Sequence, residues 1–229
     1  MKFVKTGSLL CVISVSLCFS GLFAQTNKKT KTVITGDSME MIDAGKKVIF
    51  SGDAKVVHGK DTLKADEIIQ DKTENTVNAR GNVCFETVVN EDELLTGTAA
   101  KVLYNINTES GQLKENRPKL TYKIKTSTKP VTLTADNINF DHISGQADAS
   151  GNVEIISSSA TAYSQRAQFY YKEKKMVLNG SITEQPKVNY TAQGRNDRFS
   201  ADLITMFLDK KKMILEGNAK GFVKEINKQ

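Results

Sequence analysis

Apolar and polar residues alternate with a period of two along most of this chain. Ile138 and Phe140 flank the polar Asn139, for example, and Val153 and Ile155 flank Glu154. Successive side chains of a β-strand point to opposite faces of the sheet, so this pattern places the apolar residues on one face. We therefore predict an all-β protein whose strands each bury one side.

The alternation is organised in repeats. In four copies an Asp is followed fifteen residues later by a Gly, as in Asp136 and Gly151, and the next two residues are polar and then apolar. Two weaker copies are centred on Ala100 and Gln165. Repetition at a period of about 30 residues is typical of stacked architectures, in which each unit completes the core of its neighbours. The four anchor residues are Asp37, Asp66, Asp136 and Asp202.

Each repeat is predicted to contain about three short strands, one polar turn and one corner. A Gly within a strand favours a sharp bend or a close approach of two backbones. Keeping the alternation across each Gly places that Gly on the inward face. The predicted corner glycines are Gly52, Gly81, Gly151, Gly180 and Gly217.

Two regions depart from the repeat pattern. The third copy, around Ala100, lacks both the anchor Asp and the corner Gly, which leaves the strand register open between residues 100 and 130. The lysine-rich segment 114–129 is interpreted as a long connection. No segment has a clear apolar stripe of helical period. The fold class is therefore predicted as all-β, built from about 15 or more short antiparallel strands.

The first residues have the composition of an export signal. Lys2 and Lys5 precede an apolar run from residue 9 to 23, and Ala24 is a small residue at a suitable cleavage point. We assign residues 1–24 to a signal peptide, 25–32 to a disordered arm and 33–226 to the repeat domain. The alternative is an uncleaved membrane anchor. Cleavage would leave Cys84 as the one cysteine, so no intramolecular disulfide would form.

Two of the repeats resemble those of the LptA/OstA family. The resemblance rests on Leu-Thr-Ala-Asp-Asn-Ile at 133–138 with Ala-Ser-Gly-Asn-Val at 149–153, and on Leu-Lys-Ala-Asp-Glu-Ile at 63–68 with Ala-Arg-Gly-Asn-Val at 79–83. It implies a twisted, slightly open β-jellyroll in the periplasm that carries lipopolysaccharide. It also implies partners of the same fold, one anchored in the inner membrane and one in the outer-membrane translocon.

An apolar inner face suits that role because each lipid methylene exposed to water costs about 0.8 kcal/mol. The same residues are equally compatible with a closed sandwich core, and the sequence leaves this alternative open. The candidate groove residues combine flexible, aromatic and aliphatic side chains: Met39, Met41, Phe50, Ile68, Phe85, Ile138, Phe140, Phe169, Met176, Ile204, Met206 and Met213.

An open sheet has two unpaired edges, which favour pairing with another chain. We place these edges near residues 33–42 and 213–223 and expect head-to-tail self-association through them. The lysines of two turns could attract phosphorylated headgroups, although for any one of them a solvated turn is the simpler explanation. They are Lys172, Lys174, Lys175, Lys210, Lys211 and Lys212.

Motifs for catalysis or cofactors do not emerge from the sequence. His58 and His142 have no partners at metal-ligand spacing, and Cys84 lies out of phase with the apolar Val83 and Phe85. The basic charge comes without a nucleic-acid-binding motif. We expect a non-enzymatic protein without a cofactor or metal. Two alternatives to a soluble lipid carrier remain: a β-solenoid envelope scaffold that never binds lipid, and a membrane-anchored relative of the carrier.

Overall fold

The computed structural model describes residues 32–125, 129–181, 184–192, 195–210 and 212–223. This part of the chain forms an 18-stranded antiparallel sheet and one short 3-10 turn, Asp43–Gly45. The predicted signal peptide lies outside the described residues. The strands are β1 (Thr32–Thr35), β2 (Ser38–Ile42), β3 (Lys47–His58), β4 (Asp61–Asp71), β5 (Thr76–Asn90), β6 (Glu93–Asn105), β7 (Ser110–Lys114), β8 (Lys119–Ile124), β9 (Val131–Thr134), β10 (Asn137–Asp141), β11 (Gln146–Ile156), β12 (Ala160–Tyr170), β13 (Lys175–Asn179), β14 (Lys187–Ala192), β15 (Arg195–Ser200), β16 (Leu203–Phe207), β17 (Lys212–Glu216) and β18 (Lys220–Phe222).

The sheet is folded along one corner into two walls, which we call wall A and wall B. The long strands β3, β4, β5, β6, β11 and β12 cross the corner and contribute one half to each wall. Wall A has the order β2-β3-β4-β5-β6-β7-β10-β11-β12-β13-β16-β17. Wall B has the order β1-β3-β4-β5-β6-β8-β9-β11-β12-β14-β15-β18.

This architecture confirms the predicted all-β antiparallel class. The strands are longer than expected wherever they cross the corner, and β5 reaches 15 residues. The reason is that the corner is a bulge inside a continuous strand, which leaves the pairing intact on both sides. The buried apolar side chains form one core between the two walls.

A left-handed bulge forms each regular corner, as at Gly151 and Asn152. Their φ angles are +76° and +47°, and together they oppose the single residue Gln165 on β12. The Asp136 N–H donates to the Gly151 carbonyl over 2.9 Å, and Asn152 Nδ2 donates to the Asp136 carboxylate over 2.9 Å. Gly and Asn are the residues that tolerate positive φ best, so the repeated Asp and Gly-Asn pattern encodes this corner.

The same corner recurs along the sheet. Asn82 donates to Asp66 over 3.0 Å, and Asn218 donates to Asp202 over 2.8 Å. The expectation that the corner glycines face inward is wrong. A Cβ on Gly52, Gly81, Gly151 or Gly217 would overlap the carboxylate of its anchor Asp, and those carboxylates are exposed. The apolar alternation does carry across the bulge, since Ala149 and Val153 are both buried, but the Gly itself lies at the bend beside its anchor Asp.

Two corners are built differently. Gly180 lies at a predicted corner position, directly after β13. Unlike the other corner glycines it does not have a positive φ, and it is the first residue of the loop between β13 and β14. In the third copy, three consecutive left-handed residues, Glu115, Asn116 and Arg117, turn the chain from β7 to β8. The interpretation of 114–129 as a long connection is therefore wrong, because β8 lies within it.

We expect Gly151→Ala to lower the free energy of unfolding by about 1–3 kcal/mol, measured by urea denaturation. The new Cβ would meet both an unfavourable φ and the Asp136 carboxylate. Gly45→Ala is the matched control, since its φ is +83° but no atom lies within 4 Å of the added Cβ. Equal losses in the two variants would show that the contact between Asp136 and Gly151 adds nothing.

Candidate functional site

Wall A presents two parallel rows of side chains to the interior, because cross-strand partners lie on the same face of a sheet. The row nearer the corner contains Met39, Phe50, Ile68, Ala79, Val102, Leu113, Ile138, Ala149, Ala167, Leu178, Ile204 and Leu215. The second row contains Met41, Val48, Gln70, Val77, Tyr104, Gly111, Phe140, Ala147, Phe169, Met176, Met206 and Met213.

Wall B faces these two rows with one aligned row of side chains. Most of its aligned positions hold large apolar residues, and the small residues Gly97, Ala162 and Gly221 interrupt them. The row contains Ile34, Val56, Leu63, Phe85, Gly97, Leu120, Leu133, Ile155, Ala162, Val188, Phe199 and Gly221. The two walls together enclose a continuous apolar inner face that runs the length of the sheet.

All the candidate groove residues lie on this inner face, Phe85 on wall B and the others on wall A. Those in the middle of the sheet are buried: Phe50, Ile68, Ile138, Phe169, Met176, Ile204 and Met206. Phe85 and Phe140 are half-buried and pack against the core. Their place on the inner face follows from the fold alone.

The inner face becomes accessible at both ends of the sheet. Met41 on the terminal strand β2 is 56% exposed, and its neighbour Met39 is half-buried. Met213 on the opposite terminal strand, β17, is also half-buried. The middle residues of each row have neighbouring strands on both sides, whereas these three have a described neighbouring strand on one side only.

Aromatic side chains join the two walls across the interior. The Phe85 ring of wall B lies 6.1 Å from the Phe140 ring of wall A, measured between centroids. Tyr122 of wall B meets Phe169 of wall A edge to face, with centroids 5.5 Å apart. The middle of the interior is therefore filled by the protein's own side chains, as in a sandwich core.

Sequence reasoning missed several residues that shape this interior. Gly97 and Gly111 have no side chain, and the rings of Phe85 and Phe140 occupy the space where a Cβ would lie. On β8 the apolar alternation is present in the sequence, but its interleaved lysines concealed it. The missed buried side chains include Leu113, Leu120, Tyr122 and Leu133.

The two walls also meet at their free rims, opposite the corner. Lys174, in the turn between β12 and β13 of wall A, forms an ion pair with Glu93, the first residue of β6 in wall B, over 2.5 Å. Burial would raise the pKa of the Glu93 carboxyl, but hydrogen bonding to Lys174, Tyr122 and Asn90 and the charge of Lys174 together outweigh burial and lower it. Burial, reinforced by the nearby Glu93 carboxylate, raises the pKa of the Tyr122 hydroxyl.

The other candidate lysines lie along the rim and outer face of wall A. Lys172 Nζ donates to the Ile143 carbonyl over 2.8 Å. Lys175 lies 4.4 Å from the Tyr170 ring centroid and pairs with Glu173 over 2.6 Å. Lys210 and Lys212 approach the Phe207 ring at 5.5 and 5.8 Å, while Lys211 lies outside the described residues.

A polar surface groove of about 450 Å³ lies beside the corner and away from the inner face. Its charged residues form ion pairs: Arg117 pairs with Glu154 outside the groove, and Lys187 pairs with Glu184. Cys84 is exposed. Within the described ranges, no three His, Cys, Asp or Glu side chains are grouped as metal ligands would be. Those ranges also contain no helix long and apolar enough to span a membrane.

Two comparisons place this geometry among known proteins. Residues 33–127 and 132–225 match the family model described as "LptA/(LptD N-terminal domain) LPS transport protein". A crystal structure of LptH, the LptA-homologous periplasmic component of the lipopolysaccharide transport device of Pseudomonas aeruginosa, is similar in fold. The TM-score is 0.50 and the identity 15%, over 58% of this chain and 99% of that one. No curated protein matches the sequence.

We expect Phe169→Ala to reduce the free energy of unfolding by about 3–5 kcal/mol, because it removes a buried ring that contacts both walls. Met41→Ala, on the same row but exposed, should cost less than about 1 kcal/mol. Urea denaturation of both variants measures the difference. Similar small losses would mean that the two walls do not pack against each other in solution.

Proposed function

This chain belongs to the LptA/LptD N-terminal domain family of lipopolysaccharide transport proteins, and we propose that it is a periplasmic carrier of lipopolysaccharide. In this proposal the acyl chains lie between walls A and B, and the sugars and phosphates remain in water. The protein moves or passes on the lipid between the inner and the outer membrane. No chemical step is required of it.

The continuous apolar inner face is the observation that carries this proposal. Shielding acyl chains is favourable because each methylene removed from water contributes about 0.8 kcal/mol. The rows of wall A extend this surface from the terminal strand β2 to the terminal strand β17 without a charged residue. A ligand with several long chains needs such an extended surface more than a single enclosed pocket.

Methionine side chains support a surface that accepts a variable or moving ligand. Met39 and Met41 lie at one end of the inner face, and Met206 and Met213 lie near the other. Methionine is unbranched and flexible, so it adapts to irregular apolar shapes. This distribution places the most adaptable side chains where a lipid would enter or leave.

The terminal strands support end-to-end assembly with like modules. Among the described residues, β1 and β2 pair only with β3, β17 pairs only with β16 and β18 pairs only with β15, so each end presents a backbone edge that no described strand covers. Strand addition at such edges would continue both the sheet and its apolar inner face. The proposed partners are further copies of this chain and modules of the same fold at the two membranes.

A scaffold that binds no lipid is the second candidate function. The filled middle of the interior favours it, since Tyr122 already contacts Phe169 and Phe85 already contacts Phe140. A lipid carrier with this structure has to rearrange these contacts during loading. A membrane-anchored relative in the same pathway differs at residues 1–24, and the N-terminal residue of the exported protein distinguishes it.

The proposed function is tested by site-specific photocrosslinking in cells. A photoreactive residue in place of Phe140 or Ile204, both on the inner face, should capture lipopolysaccharide. The same residue in place of Asn137, exposed on the outer face beside them, should not. Immunoblots for the lipid and the protein reveal the adduct.

Absence of lipid at both inner positions, in a folded and exported protein, would contradict the carrier and favour the scaffold. Equal capture at Asn137 would indicate non-specific contact with membranes rather than a shielded path.

The edge model is tested with Met41→Lys, which puts a charge on the inner face at the terminal strand. It should reduce concentration-dependent self-association at least tenfold, measured by analytical ultracentrifugation, because the charge would have to be buried in the joint. Ile143→Lys is the matched control, as Ile143 is 61% exposed but lies in a turn of the rim. Unchanged assembly of the Met41→Lys protein would exclude this edge.

A further inference from the structure

The rim of wall A, formed by the turns farthest from the corner, has a regular pattern of backbone hydrogen bonds. Its turns are tied to one another by backbone hydrogen bonds of 2.8–3.1 Å, each from the N–H of one turn to a carbonyl of the preceding one. The last of these bonds runs from the Leu208 N–H to the Lys174 carbonyl. The backbone of Lys174 is therefore held in place, and its side chain extends from a firm edge.

The ion pair between Lys174 and Glu93 has an unusual position. Ion pairs such as Lys47 with Asp71 on β3 and β4, or Arg80 with Glu67 on β5 and β4, join neighbouring strands of one wall. The pair of Glu93 and Lys174 instead bridges the two walls across the open side of the fold. The Glu93 side chain is only 6% exposed, and that of Lys174 is 30% exposed.

The interior directly below this pair is closed. Tyr122 lies on β8 next to β6, two residues from Ile124, the cross-strand partner of Glu93, and its ring packs against Phe169. The pair and the two rings thus form one column from the rim to the inner face. An acyl chain cannot lie along the middle of the inner face while this column is intact.

We propose that Glu93 and Lys174 form a latch across the mouth of the sheet, and that lipid loading requires it to open. The inference rests on the proposed carrier function. A partly buried ion pair suits a reversible latch, because each charge is stabilised by its partner when closed and by water when the rims separate. Opening would expose Phe169 and Tyr122 to the incoming acyl chains.

The test locks the latch after folding. Glu93 and Lys174 are both replaced by Cys in a Cys84→Ser background, and the thiols are joined with a short bis-methanethiosulfonate crosslinker that a reductant removes. The probe is purified lipopolysaccharide dispersed in detergent, and its retention is measured by gel filtration. The matched control is Lys47→Cys with Asp71→Cys, whose crosslink joins neighbouring strands of wall A.

We expect the crosslinked 93/174 protein to retain at least tenfold less lipid than the same protein after reduction. The crosslinked 47/71 protein should bind like its reduced form. Equal retention before and after reduction of the 93/174 crosslink would overturn the latch while leaving the carrier function intact. If the uncrosslinked protein retained no lipid, the carrier function would fail and the latch with it.

Discussion

The structure depends on a bend that a β-strand can make without losing its partners. At the corners of β3, β5 and β11, a Gly and an Asn or Asp adopt left-handed conformations opposite one residue of the next strand. The anchor Asp occupies the space that the Gly leaves open, and at three corners it accepts a hydrogen bond from the following Asn. Because the pairing continues on both sides, one sheet supplies both walls, and the apolar faces of the two halves meet.

The corner explains why the middle of the interior is closed while the two ends of the sheet are accessible. The corner brings the walls together, so Phe85 reaches Phe140 and Tyr122 reaches Phe169. The stacking of repeats nevertheless has two ends, and there the inner face and the strand edges lack a neighbour. A carrier can use both features if its middle opens for lipid and its ends join to further modules. The proposed latch of Glu93 and Lys174 concerns the first of these, the opening of the middle.

Much of wall A followed from the sequence because the anchor Asp fixes the register of every residue that follows it. Ile68, Ile138 and Ile204 lie two residues past an anchor, and all three share one row. Contacts between the two walls could not be predicted from the repeat pattern. Glu93 and Lys174 are distant in the sequence, and their meeting depends on the twist of the whole sheet. The lysines of β8 also obscured a buried strand, since their long side chains occupy only its outer positions.

The central claim is that acyl chains contact the inner face of this sheet. The chain contains no Trp, so a single Trp can report on one position. Phe85→Trp places it on the inner face, and Leu103→Trp places it at an exposed position of the outer face. With a lipid A analogue that carries bromine on its acyl chains, we expect fluorescence quenching at position 85 and none at position 103. Bound lipid without quenching at position 85 would contradict the account.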